Sequence, residues 1–92
     1  MQSRAATVTN KLGLHARAAA RFVHLASRFQ SHVKVTRGTQ TMDGKSIMGI
    51  LLLAAATGTV LTVSTDGEDE QAALDALCGF IETGFGEDTC SV

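Results

Sequence analysis

The sequence predicts an α+β open-faced sandwich, a four-stranded antiparallel sheet with three helices on one face, in the order βαββαβα. Three observations carry that expectation. Short segments around Ala6 and Val8, Val33 and Val35, and Leu61 and Val63 alternate apolar with polar residues, so each strand has one wet face. Longer segments between them repeat apolar residues at the helical spacing of three and four. The chain of 92 residues fits a single domain over 1–92 with no linker, repeat or low-complexity segment, and a chain of that size buries about 60 to 65% of its extended surface, enough for a two-layer core.

In chain order, Ala6 and Val8 mark a short first strand. Ala19, Phe22, Val23, Ala26 and Phe29 predict a helix over about residues 16 to 29. Val33 and Val35, alternating with His32, Lys34 and Thr36, give a second strand. Gly38 then turns the chain into a brief third strand around Thr39 to Met42, so residues 32 to 42 read as a hairpin that Asp43-Gly44 ends. A second helix over about residues 46 to 54 begins at Ser46, a good N-cap. Leu61 and Val63 form the fourth strand after the Gly58 turn. The last helix, about residues 69 to 83, turns Leu74, Leu77, Cys78 and Ile81 to the core and carries acids in its first turn, where the helix dipole favours them. The segment from Glu87 to Val92 is expected to fray.

Composition narrows the setting. No apolar run approaches the 18 residues of a membrane span and no charged-then-apolar leader precedes the first strand, which predicts a cytoplasmic chain. Cys78 and Cys90 could pair, but two cysteines without a secretory signal are more often free thiols. The net charge of −1 hides an asymmetry: all eight Lys and Arg lie at or before Lys45, accompanied by the single acid Asp43, which leaves that half at +7. A basic half attracts nucleic acid, acidic protein surfaces or a phosphoryl group, and charge alone does not choose among them. The absence of Tyr and Trp counts against base stacking.

The pointed feature is His15, which occupies the N-cap place of the first predicted helix, where Ser, Thr, Asp or Asn would be usual. That reading leaves the first amides of the helix, those of Ala16 and Arg17, free. Free N–H groups and the positive end of the helix dipole make an anion site, and Arg17 adds a fixed charge. A neutral imidazole is a usable nucleophile near neutral pH, and a phosphoryl group on it would bond to the Ala16 and Arg17 amides. Arg17 and Arg21, a like-charged i, i+4 pair, cost an isolated helix a few tenths of a kcal/mol that a bound anion would offset. His24 falls on the solvent stripe with Arg17, Arg21 and Arg28, and His32 on the wet face of its strand. Neither pairs with a Cys or carboxylate at metal-ligand spacing, so no metal and no cofactor is expected.

Gly44-Lys45-Ser46 has the final residues of a phosphate-binding P-loop, but Gly38 lies six residues before Gly44 rather than five and the flanking strands read as antiparallel. Nucleotide hydrolysis is therefore not expected. Ser46 serves structurally as an N-cap, and a hydroxyl at a helix start is also where an added phosphate is tolerated. The run Ile47 to Ala54 is apolar around much of its circumference. With Ile47, Ile50, Leu51 and Ala54 turned to the sheet, Met48 and Leu52 face outward, either as a docking surface or as a face covered by the C-terminal tail.

With His15-Ala16-Arg17 and Gly44-Lys45-Ser46-Ile47-Met48-Gly49 in register, the chain resembles HPr, the histidine-containing phosphocarrier family of the bacterial phosphotransferase system, over about residues 3 to 86. The resemblance implies the same βαββαβα order. It implies that His15 takes a phosphoryl group on Nδ1 from phospho-Enzyme I and passes it to a IIA protein or domain, with Arg17 stabilising the group in transit. By the same resemblance Ser46 is the regulatory site of HPr kinase/phosphorylase, and Ala20, Ile47, Met48 and Leu51 form the docking patch. Sugar-transporting members usually carry proline where this chain has Ala18, and Ala18 with the Lys-Ser-Ile-Met-Gly run is more similar to the nitrogen-related branch, whose role is regulatory.

The expected function is thus that of a small monomeric phosphocarrier with a transient phosphohistidine, which catalyses nothing by itself. A rival reading is a nucleic-acid-binding α+β module with Arg17, Arg21, Arg28 and Lys34 as phosphate contacts, which leaves His15 unexplained. A third is a regulatory relative that binds partners without carrying phosphate.

Overall fold

The computed structural model, which describes residues 1–86, builds its sheet from the predicted alternation. Strands β1 (Gln2–Thr7), β2 (His32–Arg37), β3 (Gln40–Asp43) and β4 (Val60–Asp66) lie in the order β1-β4-β2-β3, each neighbouring pair antiparallel. The register pairs Val33 with Thr65 and Val35 with Val63. Because side chains alternate across a strand, that register gathers Val33, Val35, Leu61, Val63 and Thr65 on one buried face. His32 and Lys34 stand on the opposite, open face, as expected.

Helices α1 (Ala16–Ala26), α2 (Ile47–Leu52) and α3 (Glu70–Glu82) cover the buried face, and the element order is the predicted βαββαβα. From α1 the core receives Ala18, Ala19, Phe22, Val23 and Ala26, and from α3 Leu74, Leu77, Cys78 and Ile81. Cys78 is a buried free thiol, and burial pushes its pKa up. Cys90, like the Glu87 to Val92 segment expected to fray, lies outside the described residues.

Several boundaries differ from the sequence reading. The first strand starts at Gln2, with four exposed residues ahead of the buried Ala6. The hairpin turn is Gly38-Thr39, so β3 begins at Gln40. α1 ends at Ala26 rather than near residue 29, because the Arg28 and Phe29 amides reach back only three residues, to Leu25 and Ala26, in a tightened turn. The Lys45 ammonium donates to the Phe29 carbonyl at 2.7 Å and closes that turn.

The phase of α2 is corrected as well. Ile47 and Ala54, expected to face the sheet, are exposed, while Ile50 and Leu53 are buried and Leu51 is half-buried against the core. Met48 and Leu52 face outward as expected, at 68% and 58% exposure. An all-apolar helix has no polar side to set its rotation, so the neighbours set it. The helix stops at Leu52, and Ala54 turns the chain away in the left-handed region, φ +48.

Two tertiary ties have no sequence signature. Asp69 precedes α3 but makes no side-chain cap; its carboxylate instead accepts the Gln30 and Ser31 amides, each at 2.9 Å, and the Ser31 hydroxyl. Those bonds, the Ser31 hydroxyl foremost, hold its pKa below the ordinary carboxylate value. After α3, Phe85 adopts φ +57 and buries its ring completely, edge-to-face with Phe80 at 5.9 Å between centroids.

Candidate functional site

His15 sits where the sequence placed it, at the N-cap of α1, with extended backbone (φ −90, ψ −179). Its imidazole does the capping itself: Nδ1 accepts the Arg17 amide at 3.2 Å. The expectation of vacant amides is therefore corrected at Arg17, whose N–H is already engaged by the histidine. A nitrogen that accepts a hydrogen bond carries a lone pair, so in the neutral ring the proton belongs to Nε2. The ring is half-buried, and Ala16 and Arg17 beside it are exposed. The geometry presents a lone pair at the rim of a helix start, in a seat open to a large partner.

A short loop fixes this position. The Leu14 amide donates to the Ala55 carbonyl at 2.8 Å, joining the loop to the chain just beyond α2. The Gly13 carbonyl accepts both the His15 amide at 3.1 Å and the Asn10 side-chain amide at 2.8 Å. The Gly13 amide in turn donates to the Asn10 carbonyl at 3.1 Å, and the Thr57 hydroxyl donates to that carbonyl too. Gly13 has φ +66, and a Cβ there would stand 2.6 Å from the Ala55 oxygen. The sequence reading missed Asn10, Thr57 and the Ala55 carbonyl; the one available signal was a polar Asn10 just after the apolar Val8, and it is fully buried.

α1 has no acid in its first turn, Arg17, Arg21 and His24 are exposed along it, and Arg28 is exposed in the turn that follows. Among the described residues the only Lys or Arg in a salt bridge is Arg4 of β1, which meets Asp75 of α3 at 2.7 Å. Among the described residues no carboxylate pairs with the cations of α1 and its following turn, so this face projects a positive potential that suits an anionic group or an acidic partner surface. Arg21 makes a long 3.5 Å contact to the Phe85 carbonyl. Lys34 lies on the open sheet face, opposite the helix layer where α1 carries Arg17 and Arg21 and the turn after it carries Arg28, so the four do not form one nucleic-acid footprint.

Ser46 caps α2 as expected, its Oγ accepting the Gly49 amide at 3.1 Å. Next to it Ile47 and Met48 are exposed, 46% and 68%. Ala20 and Ile47 share a shallow groove of about 480 Å³ between α1 and α2, with Val23, His24, Ser27 and Arg28. The structure thus joins Ala20 and Ile47 on one surface; Met48, the next residue, is exposed without lining that groove, and Leu51 packs in part on the core.

Comparison with known proteins agrees with this geometry. The family model described as the phosphorylation-site HPr component of the phosphotransferase system matches residues 2–83. Phosphocarrier protein HPr of Cupriavidus necator is 52% identical over 87 residues, 95% of this chain and 98% of that protein. Phosphocarrier protein NPr of Shewanella violacea is 39% identical over 84 residues, 91% and 92% of the two chains. Among solved structures, HPr-C-His from Thermoanaerobacter tengcongensis superposes with a TM-score of 0.90 at 43% identity, covering 96% of this chain and 99% of that one. A dimeric HPr from the same organism matches with a TM-score of 0.74 at 44% identity, over 95% and 100%. Among the described residues no helix is long and apolar enough to cross a membrane.

Proposed function

This chain belongs to the HPr family of phosphocarriers of the phosphotransferase system, and on that premise we propose that Nδ1 of His15 is the atom that takes and gives up the phosphoryl group. The observation that carries the assignment is the bond from the Arg17 amide to Nδ1, which directs a lone pair at the helix start and leaves the ring proton on Nε2. In the forward step that lone pair attacks phosphorus on phospho-Enzyme I. The Nδ1–P bond forms, the donor's bond to phosphorus breaks, and its electron pair returns to the donor. His15 keeps its Nε2 proton throughout. The Arg17 amide, released from Nδ1, turns to a phosphoryl oxygen with the Ala16 amide beside it, and the Arg17 guanidinium adds charge. Transfer to a IIA protein or domain reverses the sequence of bonds.

A carrier has to release its cargo as readily as it accepts it, and an exposed seat with a few amide donors suits that better than a deep pocket. Catalysis of a net reaction is not part of this reading. The α1–α2 groove that holds Ala20 and Ile47, together with the exposed Met48 and the outer part of Leu51, is the docking surface for both partners, and the start of α1 at His15 supports that use. Ser46 is a regulatory phosphorylation site for a kinase of the HPr kinase/phosphorylase kind: its hydroxyl stands at the start of α2, directly before the exposed Ile47 and Met48. The protein acts in the cytoplasm, where Enzyme I supplies it, and as a monomer, which leaves the groove open to partners. Ala18, in place of the usual proline, favours the regulatory, nitrogen-related branch.

The test is to incubate the protein and its His15→Ala variant with Enzyme I, phosphoenolpyruvate and magnesium and to weigh the intact products. The parent should gain one acid-labile phosphate and the variant none. Phosphate on His15→Ala under these conditions would overturn the assignment.

A further inference from the structure

We infer that Asn10 is a positioning residue for His15, acting through the Gly13 carbonyl, with Thr57 as its support; the inference deepens the assignment of His15 as the phosphoryl-carrying residue and rests on it. One oxygen links the two residues. The Gly13 carbonyl accepts the Asn10 Nδ2 at 2.8 Å and the His15 main-chain amide at 3.1 Å, so the backbone of the histidine hangs from an atom that the asparagine side chain holds. Asn10 is in turn fixed at its own carbonyl, which accepts the Gly13 amide at 3.1 Å and the Thr57 hydroxyl. Thr57 also donates to the Lys11 carbonyl at 3.1 Å, tying a second residue of the same loop.

The arrangement is more than is needed to close a turn. Asn10 is wholly buried, and burying an amide side chain is costly unless its bonds repay it. Side-chain bonds to nearby backbone are common in turns, but here the atom held is the one from which the His15 amide hangs. Here the bonds converge on the residue two before His15 and on the segment just past α2, which also holds Leu14 through Ala55. The Nδ1-to-Arg17 bond is 3.2 Å, long for N–H···N, so a small rotation of the His15 backbone is enough to lose it. Without it the ring is no longer biased toward the Nε2–H tautomer, and fewer molecules present a lone pair at Nδ1.

Asn10→Asp is the sharpest probe, because it keeps the shape and replaces the donor by an acceptor that faces the Gly13 oxygen. Thr57→Val is the second probe, because Thr57 is exposed and its loss leaves the core intact. Two readouts are taken at a temperature where melting curves show both variants folded. The first is the set of His15 ring ¹⁵N shifts in the unphosphorylated protein, which report the tautomer whether or not phosphate transfer occurs. The second is steady-state phosphorylation by Enzyme I.

In the variants the Nδ1 shift should move toward that of a protonated nitrogen. The kcat for phosphorylation should fall about tenfold for Asn10→Asp and about threefold for Thr57→Val, with KM unchanged, because the docking groove is untouched. Parent-like ring shifts and parent-like kcat in both variants would overturn the inference while leaving the His15 assignment standing. A parent protein that takes no phosphate on His15 would overturn the assignment instead, and the tautomer shifts would still decide the positioning role of Asn10. If Asn10→Asp does not fold, Thr57→Val alone decides.

Discussion

Replacing Gly13 by alanine tests how tightly the His15 loop is held against the segment beyond α2. Two costs arise. At φ +66 an alanine occupies the left-handed region, which disfavours a Cβ by about 1 kcal/mol. The added Cβ also falls 2.6 Å from the Ala55 oxygen and 3.0 Å from the Ala56 Cα, both backbone atoms that cannot swing aside as a side chain would. Relief requires the two segments to part, which breaks the bond from the Leu14 amide to the Ala55 carbonyl and leaves buried polar groups short of partners, a further ~2 kcal/mol. Gly38 supplies the control: its φ is +60, but nothing lies within 4 Å of an added Cβ, so Gly38→Ala bears only the conformational cost. Urea unfolding should therefore place Gly38→Ala about 1 kcal/mol and Gly13→Ala about 3 kcal/mol below the parent, with equal m-values. Losses within about 0.5 kcal/mol of each other would refute the claim that a backbone clash, rather than φ alone, requires glycine at position 13.

Ala54→Gly should work in the other direction. Relief of the left-handed alanine, less the added entropy of an unfolded glycine, leaves a gain of about 0.5 kcal/mol and a rise in Tm of about 2 to 4 °C; a lower Tm would contradict it. Acid should weaken the fold through Asp69 and Glu70, whose pKa values are lowered first by the Ser31 hydroxyl and the Gly67 amide respectively. Groups with folded pKa values below their unfolded ones stabilise above the unfolded value and lose that contribution as pH falls through the folded one, so stability should hold from pH 6 to 5 and drop below about pH 4. Asp69→Asn should flatten that drop, and an unchanged profile from pH 6 to 2 would count against the Asp69 tie. Ser46→Asp puts a carboxylate beside Ile47 and Met48, and phosphorylation by Enzyme I should slow several-fold through KM; unchanged kinetics would remove Ser46 from regulation.

Much of this fold is written in local pattern. Strands with one wet face and the apolar repeat of α1 gave the element order, and α3 was placed within one residue at each end. His15 was legible because a histidine at a helix start breaks a capping rule. What the residue pattern missed is physical in origin. It left vacant an amide that the imidazole itself fills, because ring nitrogens are rarely counted as caps. The rotation of α2 could not be read from a helix without a polar side, so Ile47 and Ala54, expected inside, are exposed, and Leu53, which was not assigned to either face, is buried. Gln2 to Ala5 lack buried alternation because they run along a sheet edge with Arg4 tied to Asp75, and only pairing with β4 reveals them as a strand. Asn10 and Phe85 lie in irregular segments, where no period marks a residue as buried.

The most direct measurement is the ¹⁵N and ³¹P NMR spectrum of the protein before and after phosphorylation by Enzyme I. The account predicts one phosphorus resonance coupled to Nδ1 of His15, a proton retained on Nε2, and an Arg17 amide shifted as its bond passes from Nδ1 to a phosphoryl oxygen. Phosphate on Nε2 or on another residue, or an Arg17 amide that does not move, would contradict it.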